Sequence, residues 1–239
     1  YYHKSIGGYH AAKMKRYQEL IEYRLQMEVD TIIQSFKTQN IDSVLASFNN
    51  TPSLNMLNAK YIIYHPDQPP LINPKALGTA WFVDDYKIVD NADAEIKSLN
   101  TIDPQTTAVV DKRYAKDLSG LNIVPDSTAT IKMTVYKPDR LVYKSKAKSE
   151  QLAVFSEIYY ANGWEAYVDG KSVPHFCIDW TLRGMRIPAG EHEIEFKFVP
   201  HTYNTFRVVS TASSAVLVLL LIGIIGVELW NRKKKREAK

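Results

Sequence analysis

The first sixteen residues hold side chains whose types and spacing suit the binding of an anion. Aromatic, basic and polar groups flank the dipeptide Gly7-Gly8, and no acidic residue precedes Glu19. Cations at a partly desolvated surface bind phosphate oxygens strongly, so the segment predicts a site for a lipid phosphate, a nucleotide-like phosphate or a polyprenyl phosphate. The alternative is a loop that turns at the two glycines and leads into a helix with a solvated basic start. The candidate phosphate or acceptor contacts are Lys4, Tyr9, His10, Lys13 and Arg16.

Motifs for catalysis or metal binding are missing from the sequence. The six histidines have no His-x-x-x-His spacing, and Cys177 has apolar neighbours, which predict a buried thiol. No P-loop, Gly-x-Ser-x-Gly motif or glycine-rich dinucleotide turn occurs. Asp84-Asp85 is interpreted as a turn rather than a catalytic pair, and His192 as a core histidine rather than a ligand. We therefore predict no catalytic residue, no metal and no cofactor in this chain.

An apolar stretch near the end of the chain indicates where the N-terminal cations would act. Residues 208–227 contain no ionisable side chain, and they lie in a predicted span at 207–230. At about 1.5 Å per residue, a helix of this length covers roughly 30 Å, the thickness of the hydrocarbon core of a bilayer. A buried core helix is the alternative, but such a helix normally keeps one polar face. We predict a transmembrane helix whose partner is the lipid bilayer.

The residues around this span predict its direction. Trp230 suits the interfacial aromatic belt, and the basic tail at 231–239 is expected to stay in the cytoplasm, with the larger N-terminal portion outside. The formal charge of +4 arises from six basic and two acidic side chains at 228–239, so the rest gives no support for nucleic-acid binding. Since no signal peptide or earlier span is visible, we expect upstream transmembrane helices in a longer protein.

Ahead of the span, the apolar pattern predicts an α+β fold that begins with helices. From about residue 9 to residue 36, apolar residues recur every three or four positions, with Arg24 and Glu28 on the polar side. A shorter helix follows, and Asp42 is the expected N-terminal cap because its side-chain oxygen can accept free backbone N–H groups. We assign residues 1–52 to this helical segment.

The middle of the chain, residues 53–126, is predicted to be a small α+β subdomain. It includes a buried strand at 59–64, a strand at 80–83, and a short helix capped by Asp90 or Asn91.

Residues 127–204 have β character throughout and are predicted to form an antiparallel β-sandwich. Short alternating runs are separated by turn residues, which is typical of that architecture. Asp169-Gly170 has the sequence of a two-residue type I′ hairpin, in which both positions need positive φ. We assign Trp164, Asp169 and Gly170, together with Gly7 and Gly8, to the fold rather than to a site. The runs are 130–136, 141–145, 152–158, 164–168, 181–187 and 193–199.

Several stretches, taken in order, resemble the YfhO family of bacterial multi-spanning membrane proteins. Together they extend over nearly the whole chain and are followed by a single apolar helix and a basic tail. The stretches are YHKSIGGYH at 2–10, NMLNAKYII at 55–63, ALGTAWFV at 76–83, GWEAYVDGK at 163–171 and PAGEH at 188–192.

This resemblance implies a GT-C-like glycosyltransferase of the bacterial inner membrane. Such a protein uses a polyprenyl-phosphate-linked sugar donor and a cell-envelope glycan acceptor, and its catalytic acidic residue lies in an early extracytoplasmic loop. The chain would then be the extracytoplasmic domain and last span, with the catalytic loop elsewhere. Two alternatives remain: a non-enzymatic, membrane-tethered β-sandwich that binds carbohydrate or a partner protein, and a transporter or flippase domain.

Overall fold

The computed structural model describes residues 5–7 and 13–237, and it divides into a first unit that ends at Phe198 and a second that begins at Val199. The predicted α+β class is confirmed, with N-terminal helices, antiparallel sheets and a long apolar helix at the end. The α-helices are α1 (Lys15–Leu20), α2 (Gln26–Phe36), α3 (Ile41–Ser47), α4 (Pro52–Met56), α5 (Ala92–Ser98) and α6 (His201–Glu237). The 3₁₀ turns are Phe48–Asn50 and Lys112–Leu118.

The strands fall into two groups along the chain. Those before residue 126 are β1 (Tyr61–Ile62), β2 (Leu71–Ile72), β3 (Ala80–Val83), β4 (Asp85–Val89) and β5 (Thr107–Asp111). Those after it are β6 (Thr130–Lys137), β7 (Arg140–Ala147), β8 (Gln151–Ile158), β9 (Trp164–Val168), β10 (Lys171–Val173), β11 (Phe176–Ile178), β12 (Leu182–Ile187) and β13 (Gly190–Phe198).

The predicted β-sandwich is confirmed and consists of two antiparallel sheets. One sheet has the order β10-β9-β13-β7-β6, and the other has the order β11-β12-β8-β3. Strand β3 therefore joins the sandwich from outside residues 127–204. Between the sheets, Tyr143, Phe155 and Phe196 pack edge to face, with ring centroids 4.9 to 6.2 Å apart. Such pairs add specific geometry to the burial of apolar area.

The four-stranded sheet is buried on both faces. In β8, Ala153 and Phe155 face the core between the sheets, whereas Leu152 and Val154 face a second core. That second core also contains Leu20 of α1, together with residues of α4, α5 and β5. Side chains from the segments 1–52, 53–126 and 127–204 thus share one hydrophobic core; the boundaries between those segments stay a prediction.

The N-terminal helix is continuous through a π-helical turn. Helix α1 passes into α2 through Ile21–Leu25, and the second helix ends at Phe36, as expected. The expected polar side is wrong for Arg24 and Glu28, because both are buried and Arg24 Nη2 lies 3.2 Å from Glu28 Oε1. Glu28 also accepts the N–H groups of Ser53 (3.0 Å) and Leu54 (2.8 Å). It thereby satisfies donors at the start of α4 that have no partner inside that helix.

The structure tests the expected caps of two helices and the expected strand at 59–64. The cap of α3 is Asn40, which accepts the N–H of Asp42 (2.8 Å), so the expected cap at Asp42 is wrong by two residues. Asn91, one of the two expected residues, caps α5 by accepting the N–H of Ala94 (2.9 Å). The expected buried strand at 59–64 is also wrong: β1 has two residues, and Tyr61 is 57% exposed. Strand β1 pairs only with β2 and lies at the surface.

The Asp169-Gly170 hairpin joins β9 to β10. Asp169 has a φ of 49° and Gly170 a φ of 76°, as a type I′ turn requires. Asp169 Oδ1 accepts the N–H of Glu193 (2.9 Å), and its Oδ2 lies 2.6 Å from His192 Nδ1. His192 Nε2 lies 3.1 Å from the carbonyl oxygen of Ala189, so both ring nitrogens of this histidine have protein partners.

Helix α6 forms the second unit. Its most apolar window has a mean hydropathy of 2.5, and none of that window is buried against protein. Among the described residues, it is the helix with the length and composition to cross a bilayer. The predicted span at 207–230 lies inside it.

Candidate functional site

Arg16 lies at a pocket of about 230 Å³ in the first unit. The pocket is formed where the start of α1 meets the end of β8, strand β11 and the turn before β12. It combines one cation with several aromatic rings, an arrangement that can hold both an anionic group and an apolar face. Its main lining residues are Arg16, Tyr114, Tyr159, Tyr160, Cys177 and Trp180.

The Arg16 side chain is fixed by two groups. Its Nη2 donates to Oε2 of Glu95, a fully buried carboxylate, and its guanidinium carbon lies 4.1 Å from the ring centroid of Trp180. Trp180 Nε1 in turn donates to the backbone oxygen of Arg16 (2.7 Å). The guanidinium keeps further N–H donors, and its Nε is buried without an acceptor among the residues that the structure describes.

An unusual turn presents the Trp180 ring to Arg16. Asp179 has a φ of 48° and Trp180 a φ of 72°, the left-handed region that bulky residues rarely adopt. The turn is held by hydrogen bonds in both directions between Asp179 and Val109: Asp179 Oδ1 accepts the Val109 N–H (2.7 Å), and the Asp179 N–H donates to the Val109 oxygen (2.9 Å). The Trp180 N–H donates to Glu95 Oε1 (3.1 Å). Backbone strain of this kind persists only where surrounding contacts hold it.

Burial controls the protonation of the groups around the pocket. It raises the pKa of Asp179 to about 8, that of Tyr114 to about 12 and that of the Cys177 thiol to about 12. Burial also raises the pKa of Glu95, although the Arg16 charge opposes that rise. The predicted buried thiol is confirmed, since Cys177 is 1% exposed and its Sγ lies 3.1 Å from the Trp180 oxygen. A protonated thiol is a poor nucleophile, so burial makes Cys177 poorly suited to nucleophilic attack.

The aromatic side chains of the pocket support one another. The rings of Tyr114 and Tyr159 meet edge to face at 6.1 Å, and Tyr114 also stacks on Phe176 at 6.1 Å. Tyr159 packs against His175 with centroids 5.5 Å apart. Rings held in this way lose little further conformational freedom when a ligand binds.

Of the predicted anion-binding residues, the structure describes Arg16 and Lys13. Arg16 reaches the pocket, and Lys13 is exposed just before α1. Lys4, Tyr9, His10 and Gly8 lie outside the described residues. Gly7 is described, and its N–H donates to Ser5 Oγ (3.2 Å). The Tyr17 hydroxyl donates to the Ile6 oxygen, which attaches the segment 5–7 to α1.

Sequence reasoning missed Glu95, Asp179 and Trp180. Glu95 occupies the first turn of α5, where an acidic residue is ordinarily explained by the helix dipole. Asp179-Trp180 lies between two strands and has no glycine to signal positive φ. Among the residues the structure describes, no cluster of three histidine, cysteine or acidic side chains could hold a metal ion.

Comparison with known proteins gives one match. Residues 97–210 match the family model described as Bacterial membrane protein YfhO, a segment that includes Tyr114, Tyr159 and Trp180. No curated protein and no solved structure gives a significant match. The match agrees with the resemblance carried by the sequence motifs and with the apolar helix at the end of the chain. Residues 97–210 are thus similar to the YfhO family of bacterial membrane proteins, the family that the sequence motifs resemble.

Proposed function

We propose that this chain is the extracytoplasmic domain and last membrane span of a GT-C-like glycosyltransferase. The protein would use a polyprenyl-phosphate-linked sugar in cell-envelope glycosylation at the inner membrane, and its catalytic loop would lie outside this chain. The observation that carries the proposal is Arg16, a cation held within a pocket of aromatic rings. A phosphate linked to a sugar offers a charged group for the cation and C–H groups for the rings.

In this proposal, the arginine binds the phosphate and the aromatic rings contact the sugar. Arginine carries five N–H donors in a planar fork that matches phosphate oxygens, and here one edge is used by Glu95. The rings of Trp180 and Tyr159 provide apolar faces, while the Trp180 Nε1–H already donates to the Arg16 oxygen (2.7 Å). Lys13 precedes α1 and supplies a second positive charge at the start of the same segment. Lys4, Tyr9 and His10 are proposed to add to this anion site from the neighbouring part of the sequence.

A binding experiment tests the anion site without a catalytic assay. The double variant Arg16→Met/Glu95→Gln removes the cation and the buried carboxylate together, so no unpaired charge is left in the core. The probe is undecaprenyl phosphate in nanodiscs that contain the full chain. The matched control is Lys15→Met, because the Lys15 side chain is 89% exposed and its ion pair within the described residues is with Glu19 at 3.7 Å.

We expect the double variant to bind the lipid phosphate at least tenfold more weakly than the unaltered chain, and Lys15→Met to bind it normally. Equal affinity in all three proteins would remove Arg16 from the site. Equal losses in the double variant and the lysine control would reduce the site to general surface charge.

The direction of the span is tested by labelling engineered cysteines. Cys177 is buried, so the background reaction is low. Asn122→Cys lies in the first unit and Lys234→Cys in the tail, and both positions are exposed. With a membrane-impermeant maleimide, Asn122→Cys is expected to react in intact spheroplasts, and Lys234→Cys only after permeabilisation. The reverse pattern would overturn the proposed orientation.

A membrane-tethered β-sandwich that binds carbohydrate or a partner protein is a second candidate. It is favoured by the aromatic lining of the pocket, where Tyr114, Tyr159 and Trp180 offer apolar faces to a sugar or a partner side chain. The intact mass of the native protein in its own membranes separates the two candidates. A mass several times 27.3 kDa supports the transferase, and a mass near 27.3 kDa supports the binding module.

A further inference from the structure

A second, larger cleft of about 480 Å³ lies on the first unit, away from the residues that line the Arg16 pocket. Three connecting segments form its sides: the 3₁₀ turn after α3, the chain after β2, and the loop after α5. Their side chains are mostly amides and charged groups. The lining residues that matter here are Arg24, Asn49, Asn50, Lys75, Asn100 and Gln105.

Four side-chain amides at this cleft are free. Asn49, Asn50, Asn100 and Gln105 are exposed, and their side chains make no hydrogen bond within residues 13–237. The buried amide in the floor is different. Asn55 Nδ2 donates to the Phe48 oxygen (2.9 Å), while its Oδ1 accepts from Asn73 Nδ2 (2.9 Å).

This difference separates the amides that build the cleft from those that remain available to a ligand. Each amide carries two donor hydrogens and an acceptor oxygen, so the free set can both give and accept hydrogen bonds.

The charges at the cleft balance. Arg24 is buried in the floor, but Glu28 lies 3.2 Å away and neutralises it. Lys75 and Asp103 are exposed residues of opposite sign on the lining. An ion would gain little from such a surface. The Arg24 Nε–H is buried from solvent without an acceptor among the described residues, so the exposed amides are the donors that a ligand can reach.

We propose that this cleft binds an uncharged, hydroxyl-rich ligand, a neutral di- or oligosaccharide. Hydroxyl groups both donate and accept, which matches the free amides. The balanced charge disfavours phosphorylated or acidic sugars. No aromatic ring is among the residues that line the described cleft, so a nucleobase or other flat ring would find no stacking surface. The inference stands on these residues and does not need the transferase proposal.

Saturation-transfer NMR on the full chain tests the inference. The probes are maltose, cellobiose, lactose, mannobiose and chitobiose, with glucose 6-phosphate as a charged comparison. The protein is held in lipid nanodiscs, because glycosidic detergents would compete for the site. The test variant is Asn49→Ala/Asn100→Ala/Gln105→Ala, whose three positions are exposed. The matched control is Asn122→Ala, an exposed amide outside the cleft.

At least one neutral disaccharide is expected to receive saturation from the unaltered chain and from Asn122→Ala. Each lost hydrogen bond weakens binding roughly 2- to 10-fold, so the triple variant should bind at least tenfold more weakly. A signal for none of the five disaccharides, a signal for glucose 6-phosphate alone, or an unchanged triple variant would each overturn the assignment. Because Arg16→Met/Glu95→Gln leaves the cleft intact, it should bind the sugar normally even if the anion site fails.

Discussion

Removing the Arg16 side chain should destabilise the first unit through Glu95. The Glu95 side chain is fully buried and that of Arg16 is 26% exposed, so Arg16→Met leaves a buried carboxylate without its cation while an apolar chain still covers Trp180. Breaking a buried pair from one side typically costs about 3–5 kcal/mol. Because Arg16 is partly solvated and Glu95 can take up a proton, we expect about 3 kcal/mol, which corresponds to a Tm lower by roughly 6–12 °C.

The loss should depend on pH in a definite direction. Burial already raises the pKa of Glu95 above 4.5, and removal of the Arg16 charge raises it further. As pH rises above 4.5, the unfolded chain releases this proton while the folded variant retains it, so the stability of the variant falls with increasing pH. The deficit should therefore be larger at pH 7 than at pH 5.

Thermal unfolding of the full chain, followed by tryptophan fluorescence, measures both effects. The double variant Arg16→Met/Glu95→Gln should recover at least half of the lost stability, because the neutral amide oxygen can still accept the Trp180 N–H. A deficit of equal size at pH 5 and pH 7, with no recovery in the double variant, would refute the assignment of Arg16 as the counter-ion of Glu95.

Three further predictions concern other buried or hydrogen-bonded groups. Between pH 3.8 and about 8 the unfolded chain loses the Asp179 proton before the folded chain does, so the free energy of unfolding falls as pH rises. In urea unfolding, Asp179→Asn should reduce this dependence on pH. An unchanged dependence would contradict the raised pKa. The hydrogen bond with Asp169 raises the pKa of His192 above 6.5, so the stability that this pair contributes is fully present below pH 6.5 and is lost as pH rises through the raised value. In Asp169→Asn, an NMR titration should find the His192 pKa closer to 6.5. An unchanged pKa would exclude the pairing. Gly184→Ala would bring a Cβ to 2.8 Å from Phe176 Cε2 and should cost about 1–3 kcal/mol in urea unfolding, whereas a neutral result would mean that the ring moves aside.

Local patterns predicted the parts of the fold that local physics controls. Strands of the five-stranded sheet such as β6 and β13 follow the alternation of apolar residues, and the Asp169-Gly170 turn follows from the need for positive φ. The long apolar helix follows from composition alone. In each case, the residues that determine the structure are neighbours in the sequence.

The candidate site depends on partners that are distant in the sequence. Arg16 meets Glu95 across 79 positions and Trp180 across 164, and no local pattern relates these residues. Arg24 and Glu28 were expected on a solvated face, yet α4 packs against them and needs the carboxylate for its free N–H groups. In the sequence alone, a polar residue that accepts hydrogen bonds from the backbone of a distant segment cannot be told from one that faces water.

The position of β13 in its sheet has a consequence for how the protein is made. This strand pairs with β7 on one side and β9 on the other, so it is central in space although its residues, Gly190–Phe198, are the last of the first unit. The hairpins β6–β7 and β9–β10 are synthesised before β13. In this sheet they are joined to each other through β13, which pairs with β7 and with β9. Until residue 198 is synthesised, Tyr143 and Phe155 lack the ring of Phe196, and the nascent chain exposes a surface that chaperones can recognise. Completion of the domain and synthesis of its membrane anchor thus become nearly simultaneous events.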